Sequence, residues 1–131
     1  MFMILKTKKF DRWARKAALT DVLLCRAVEE MVNGLIDADL GGGVFKKRVA
    51  LPGKGKSGSV RTLLATNRHD RWFFVFGFEK NDRANISTKE LEALQLLADT
   101  LLSLHDEQIR TAIVEGTLLE VTDEKTKQSY S

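Results

Sequence analysis

The sequence predicts an α+β fold: an N-terminal strand and helical hairpin, a three-stranded antiparallel meander and a C-terminal helix. Three observations carry this. Apolar residues recur at helical spacing through residues 8–34. The period then changes to two between residues 44 and 78, where Val, Phe, Leu and Thr dominate. Helical spacing returns after residue 87, behind a capping signature.

Met3 to Lys6 alternates and predicts a short first strand. Lys8 to Ala18 places Phe10, Trp13, Ala14 and Ala17 on one helical face. Thr20 and Asp21 suit the start of a second helix, since one caps and the other favours a helix N-terminus. Leu24, Ala27, Val28, Met31 and Leu35 form its stripe, and Asn33-Gly34 ends it. Helices joined this tightly predict an antiparallel hairpin. DADLGGG (37–43) reads as a turn or loop. Val44–Leu51, Ser59–Asn67 and Arg71–Phe78 read as the strands of the meander, with FFVFGF (73–78) central and covered on both faces. Ser87 and Glu90 stand three apart ahead of Leu91, Leu94, Leu97, Ala98, Leu101 and Leu102, the pattern of a capped amphipathic helix. Asp106–Ile113 extends that helix or forms another. LLEV (118–121) suits a last strand.

A chain of 131 residues buries a sizeable core and is expected to form one domain, 1–121, with a polar tail at 122–131. No run of eighteen apolar residues is present. MFMIL precedes its charges, the reverse of a secretory signal, so a cytoplasmic protein without a membrane partner is expected. One cysteine, Cys25, excludes an internal disulfide framework and a multi-cysteine metal site. It reads as a small core residue. His69 and His105 are isolated, so no metal is expected. Trp13 and Trp72 read as packing residues, although Trp72 opens a strand in the basic part of the chain.

Charge is unevenly spread. Residues 1–45 carry +1, residues 46–83 carry +7 and residues 84–131 carry −5. A basic middle segment suits a polyanion-binding face, and from charge alone equally a solvated strand face with long cationic side chains. It contains LPGKGKSGSVRTLLA (51–65), which superficially suggests a nucleotide loop. A Walker loop needs a glycine five positions before the Gly of GK[ST], and a helix after it. Ala50 occupies that position and a strand pattern follows, so neither condition is met. A dinucleotide fingerprint fails for want of the same helix. No small-molecule cofactor is implied. What remains is a group of cations: Lys46, Lys47, Arg48, Lys54, Lys56, Arg61, Lys80 and Arg83. Alternation puts Lys46 and Arg48 on one face and Lys47 on the other. Whether Arg61 and the Lys80–Arg83 segment meet depends on topology, which periodicity does not supply. The residues alone describe a small α/β protein with a cationic sheet that binds RNA or DNA.

TKKFDRWA, GLIDADLGGGVFKKRVALPGKGKSGSVRTLLA and FFVFGFEKNDRANISTKELEAL together resemble the RelE/ParE superfamily of bacterial type II toxins. The similarity is to the branch with a GGGxxKxR…GKSGxxR core. It covers residues from about 5 to 103 and extends to 121. The resemblance implies the RelE-like arrangement, a basic concave sheet face and a cognate antitoxin protein. It further implies a metal-independent endoribonuclease that cuts messenger RNA on the ribosome and so inhibits translation. By position Arg61 matches the family's GxxR arginine, Lys80 lies near the basic position after the last sheet strand, and Arg83 follows where a second basic residue often occurs. Lys54 and Lys56 match the basic loop; the resemblance makes Arg61, Lys80, Lys56 and Arg83 the catalytic candidates and Lys46, Lys47, Arg48 and Lys54 the RNA-binding candidates. In that chemistry the 2′-hydroxyl attacks the adjacent phosphate, which needs a base, an acid and positive charge. Arg61 suits bidentate phosphate stabilisation. Crowding by cations makes a lysine a better proton donor and acceptor near neutrality, so Lys80 and Lys56 are the proton-transfer candidates. One departure is plain: where some members carry a tyrosine or histidine, this chain reads ANIS, and its only tyrosine, Tyr130, lies in the tail. The superfamily also includes gyrase inhibitors that cleave nothing, so a non-catalytic toxin and a degenerate nucleic-acid-binding module stay open as alternatives.

Overall fold

The computed structural model describes residues 2–53 and 58–122. The order of elements is β1 (Met3–Thr7), α1 (Lys8–Lys16), α2 (Asp21–Val32), β2 (Ala38–Gly41), β3 (Val44–Ala50), β4 (Ser59–Thr66), β5 (Arg71–Glu79), α3 (Thr88–Leu102), α4 (Asp106–Glu115) and β6 (Leu118–Glu120). The strands form one sheet in the order β2-β3-β4-β5-β1-β6. The predicted meander is its middle: β3, β4 and β5 pair antiparallel. β1 joins it parallel to β5, and β6 closes against β1 antiparallel.

Local chemistry explains the helices. The Thr7 and Thr20 hydroxyls accept from the amides of Phe10 and Leu23, capping α1 and α2. Ser87 and Glu90 form the expected capping box at α3. Asp106–Glu115 is a separate helix, begun at His105 and ended by left-handed Gly116. The reading of residues 37–43 as loop is corrected: Ala38–Gly41 pairs with β3, and only the glycine corner turns. Gly41, Gly42 and Gly43 all have positive φ, which a side chain rarely adopts. At Gly42 a Cβ would also press on the Gln95 side chain. Gln95 Nε2 donates to the carbonyls of Leu40 at 3.1 Å and Gly41 at 3.2 Å, fastening this hairpin to α3.

The sheet is covered on both faces. On one, Phe45, Val49, Val60, Leu64, Trp72 and Phe74 pack with the apolar stripes of α1 and α2. On the other, Val44, Leu63, Ala65, Phe73 and Val75 pack with α3, α4 and Leu118. Trp72, Phe73, Phe74 and Val75 thus enter opposite cores in turn, until a register shift leaves Val75 and Phe76 in the same one, which is why FFVFGF carries no polar alternation. Trp72 is fully buried, so it is a packing residue. α1 lies on β5 and β1, whereas α2 lies on β3. Among the described residues, no helix is long and apolar enough to cross a membrane.

A buried charge cluster ties the N-terminal elements together. Lys6 Nζ lies 2.8 Å from Asp11 and 2.7 Å from Asp21, while Arg15 Nε lies 3.0 Å from Asp11. The Thr122 amide donates to Asp21, so the chain leaving β6 is held too. Burial alone would push the Asp11 carboxyl up; its hydrogen bond and ion pair with Lys6 prevail and hold it below its ordinary value. Burial alone would lower Lys6, but the hydrogen bonds it donates to Asp11 and Asp21 raise it instead. The Asp11 contribution is therefore present above the ordinary carboxylate pKa and fades as pH falls through the lowered one. The Lys6 contribution is present below 10.5 and fades as pH rises through the raised one. Lys6→Met leaves Asp21 without its cation and Asp11 with only the exposed Arg15, and is expected to cost about 3 kcal/mol in urea unfolding at neutral pH. Asp11→Asn is expected to flatten the acid limb of the stability–pH curve.

Candidate nucleic-acid interface

The strand register decides which cations share a surface. Lys46 pairs with Leu63 and Leu63 with Phe76 across β3, β4 and β5. One row further along, Arg48 pairs with Arg61 and Arg61 with Phe78. Leu63 and Phe76 belong to the core under α3, so both rows lie on that face. Lys46, Arg48, Arg61, Phe76 and Phe78 therefore form one surface at the end of the sheet where β3 stops, β4 starts and β5 stops. The register thus settles the topology that periodicity leaves open: Val60 lies opposite Glu79, which brings Lys80 beside the start of β4.

Arg48 and Arg61 are directly opposed on neighbouring strands. Like charges so placed oppose folding by roughly 0.2–1 kcal/mol. Among the described residues no carboxylate side chain meets either guanidinium. Arg61 is half-buried and its Nη1 donates to Ser59 Oγ at 3.1 Å, which fixes the side chain without neutralising it. Arg48 is exposed, and its backbone amide donates to the Asp37 carboxylate. The result is fixed positive charge ready for an anion.

Arg83 reaches the same surface from the segment after β5. Its guanidinium carbon stands 5.7 Å from the centre of the Phe76 ring, and its Nη1 bonds the Glu90 carboxylate. Glu90 also accepts from the Ser87 amide in the α3 capping box. That amide first, and the Arg83 guanidinium second, hold the Glu90 carboxyl below its usual range. The α3 N-terminus therefore positions Arg83 over an aromatic ring. Lys80 is exposed in the turn after β5.

Not every sequence candidate joins this surface. Lys47 lies on the opposite face, nearly buried, with its Nζ 2.8 Å from Glu30 on α2. It has a structural partner and does not belong to the cationic face. Lys54 and Lys56 lie outside the described residues. Phe76, Phe78 and Glu90 also border this surface, which their sequence context does not mark. The aromatic pair reads from sequence only as core, because its proximity to Arg61 depends on register; Glu90 reads only as a cap. Among the described residues, no group of three or more His, Cys, Asp or Glu side chains stands together as a metal ion would need.

A family model described as the RelE toxin of the RelE / RelB toxin-antitoxin system matches residues 2–121. No curated protein and no solved structure gives a match.

Proposed function

The chain belongs to the RelE toxin family, whose members act in toxin-antitoxin systems with an antitoxin partner, and from that premise we propose that it is a ribosome-dependent endoribonuclease that cuts messenger RNA. The observation that carries this reading is the opposed Arg48–Arg61 pair, left without a carboxylate on a face that also holds Lys46, Arg83 and an aromatic ring. An RNA backbone supplies the missing negative charge, and the partly exposed Arg83 guanidinium over Phe76 gives a splayed base a plane on which to stack.

The proposed reaction is transesterification within the RNA. The 2′-oxygen bonds to the adjacent phosphorus as the bond to the 5′-oxygen breaks. The 2′-hydroxyl proton leaves to a base, and the departing 5′-oxygen takes a proton. The products are a 2′,3′-cyclic phosphate and a 5′-hydroxyl. Arg61 stabilises the charge that grows on the phosphoryl oxygens, its fork geometry matching two of them. Arg48 and Lys46 hold the backbone on either side. Arg83 is held by Glu90 to meet the phosphate or base beside the cut. Lys80, next to the start of β4, is the proton-transfer candidate, and Lys56 is its alternative from the basic loop.

Inducing the chain in cells and mapping RNA 5′ ends tests this. New cuts within translated messages are expected. Intact messages with a DNA damage response identify a gyrase inhibitor instead, and no growth effect identifies a binding module without toxicity.

A further inference from the structure

β3 is longer than the partner on its outer edge. β2 pairs with it only as far as Lys46, opposite Ala38, while β3 continues to Ala50. The Asp37 amide donates to the Lys46 carbonyl at 3.1 Å, and the Asp37 carboxylate accepts from the Arg48 amide. Lys46 and Arg48 thus direct their backbone groups towards the β2 side. By alternation so does Ala50, whereas Leu51 turns back to pair with Gly58. The carbonyl of Arg48 and both polar backbone groups of Ala50 lie on the free edge beyond Asp37, without a strand alongside among the described residues.

That edge forms one wall of a groove of about 530 Å³, whose other wall is α2. Leu23, Ala27, Ile36 and Val49 give it an apolar floor, and Leu35 stands exposed at its mouth. Its charges do not balance. Glu30 is engaged by Lys47, and Asp37 by the Arg48 amide. Among the described residues, the guanidinium groups of Arg26 and Arg48 meet no carboxylate. An unpaired edge beside an apolar trough fits an extended peptide, and the surplus of arginine fits an acidic one.

We propose that the antitoxin adds a short extended segment to the free edge of β3 at Arg48–Ala50. Family membership supplies the partner, a protein that must hold the toxin. Strand alternation sets the segment's chemistry. Apolar side chains enter the groove under α2. The residue between them faces the other side of the sheet and carries a carboxylate against Arg48. Arg26 at the rim takes a second acidic residue. Because Arg48 is also on the cationic face, the bound segment masks one of the charges that RNA would use. The proposal concerns complex formation, so it stands or falls independently of whether the chain cuts RNA.

The experiment is hydrogen exchange on the whole chain, free and in complex with its antitoxin, recovered by co-expressing the adjacent reading frame. Protection of amides in residues 48–50 on complex formation is expected. Ala50→Pro deletes the outward amide without touching the β4 ladder, and proline is tolerated at such an edge. It is expected to weaken the complex tenfold or more, as is Arg26→Glu, while Ala50→Ser binds like the parent. Unchanged exchange at 48–50 overturns the proposal. So does parental affinity in both Ala50→Pro and Arg26→Glu.

Discussion

Arg61→Ala is expected to reduce cleavage of translated messages by about 100-fold or more, the usual cost of removing a donor aimed at developing negative charge. The same substitution is expected to leave the unfolding free energy unchanged or slightly higher. Arg61 opposes Arg48 across β3 and β4, and its described polar contact is the single bond to Ser59 Oγ. Removing one of two opposed like charges relieves roughly 0.2–1 kcal/mol of repulsion. Activity and stability should therefore move in opposite directions, which a merely structural arginine would not produce. Lys47→Met provides the contrast. Lys47 is paired with Glu30 on the other face, so its loss should lower stability and leave the cleavage rate of the folded fraction near parental. Single-turnover cleavage on programmed ribosomes and urea unfolding of the same preparations give both readouts.

Gly77→Val is expected to give the largest loss of stability among single substitutions in the sheet, about 3 kcal/mol or more. Gly77 lies in β5, flanked by Phe76 and Phe78, and a Cβ there would fall inside the Trp13 indole of α1. Trp13 also packs, tilted, against Phe10 at 5.5 Å between ring centres, and Phe10 against Phe74 at 5.3 Å. The indole therefore has little room to withdraw. Trp13→Ala in the Gly77→Val background should restore part of the loss, a coupling that a double-mutant cycle measures. A melting temperature within about 2 °C of the parent for Gly77→Val would mean that α1 does not press on β5 in this way.

Much of the fold is legible in the sequence where the signal is local. The Ser87–Glu90 capping box, the period-two strands from Val44 to Phe78 and the doubly covered FFVFGF segment all read correctly. Elements that depend on distant partners do not. Ala38–Gly41 is only four residues long and ends in glycine, so its strand character comes from the β3 edge it pairs with. The parallel contact of β1 with β5 has no sequence mark, since nothing in MILKT specifies which strand it joins. The candidate site divides along the same line. Alternation alone separates Lys47 from Lys46 and Arg48. The opposition of Arg48 to Arg61, and the arrival of Phe76 and Phe78 beside them, require the register. Glu90 shows the limit most clearly: its capping role is written in Ser87 and the spacing, while its grip on Arg83 depends on how the segment after β5 folds back.

If a face built around Arg61 catalyses transesterification of RNA, the chemistry of the cut ends records it. Messenger RNA cleaved by the purified chain on translating ribosomes is predicted to carry a 2′,3′-cyclic phosphate upstream and a 5′-hydroxyl downstream, with both lost in Arg61→Ala. A 3′-hydroxyl paired with a 5′-phosphate, or undiminished cleavage by Arg61→Ala, would contradict it.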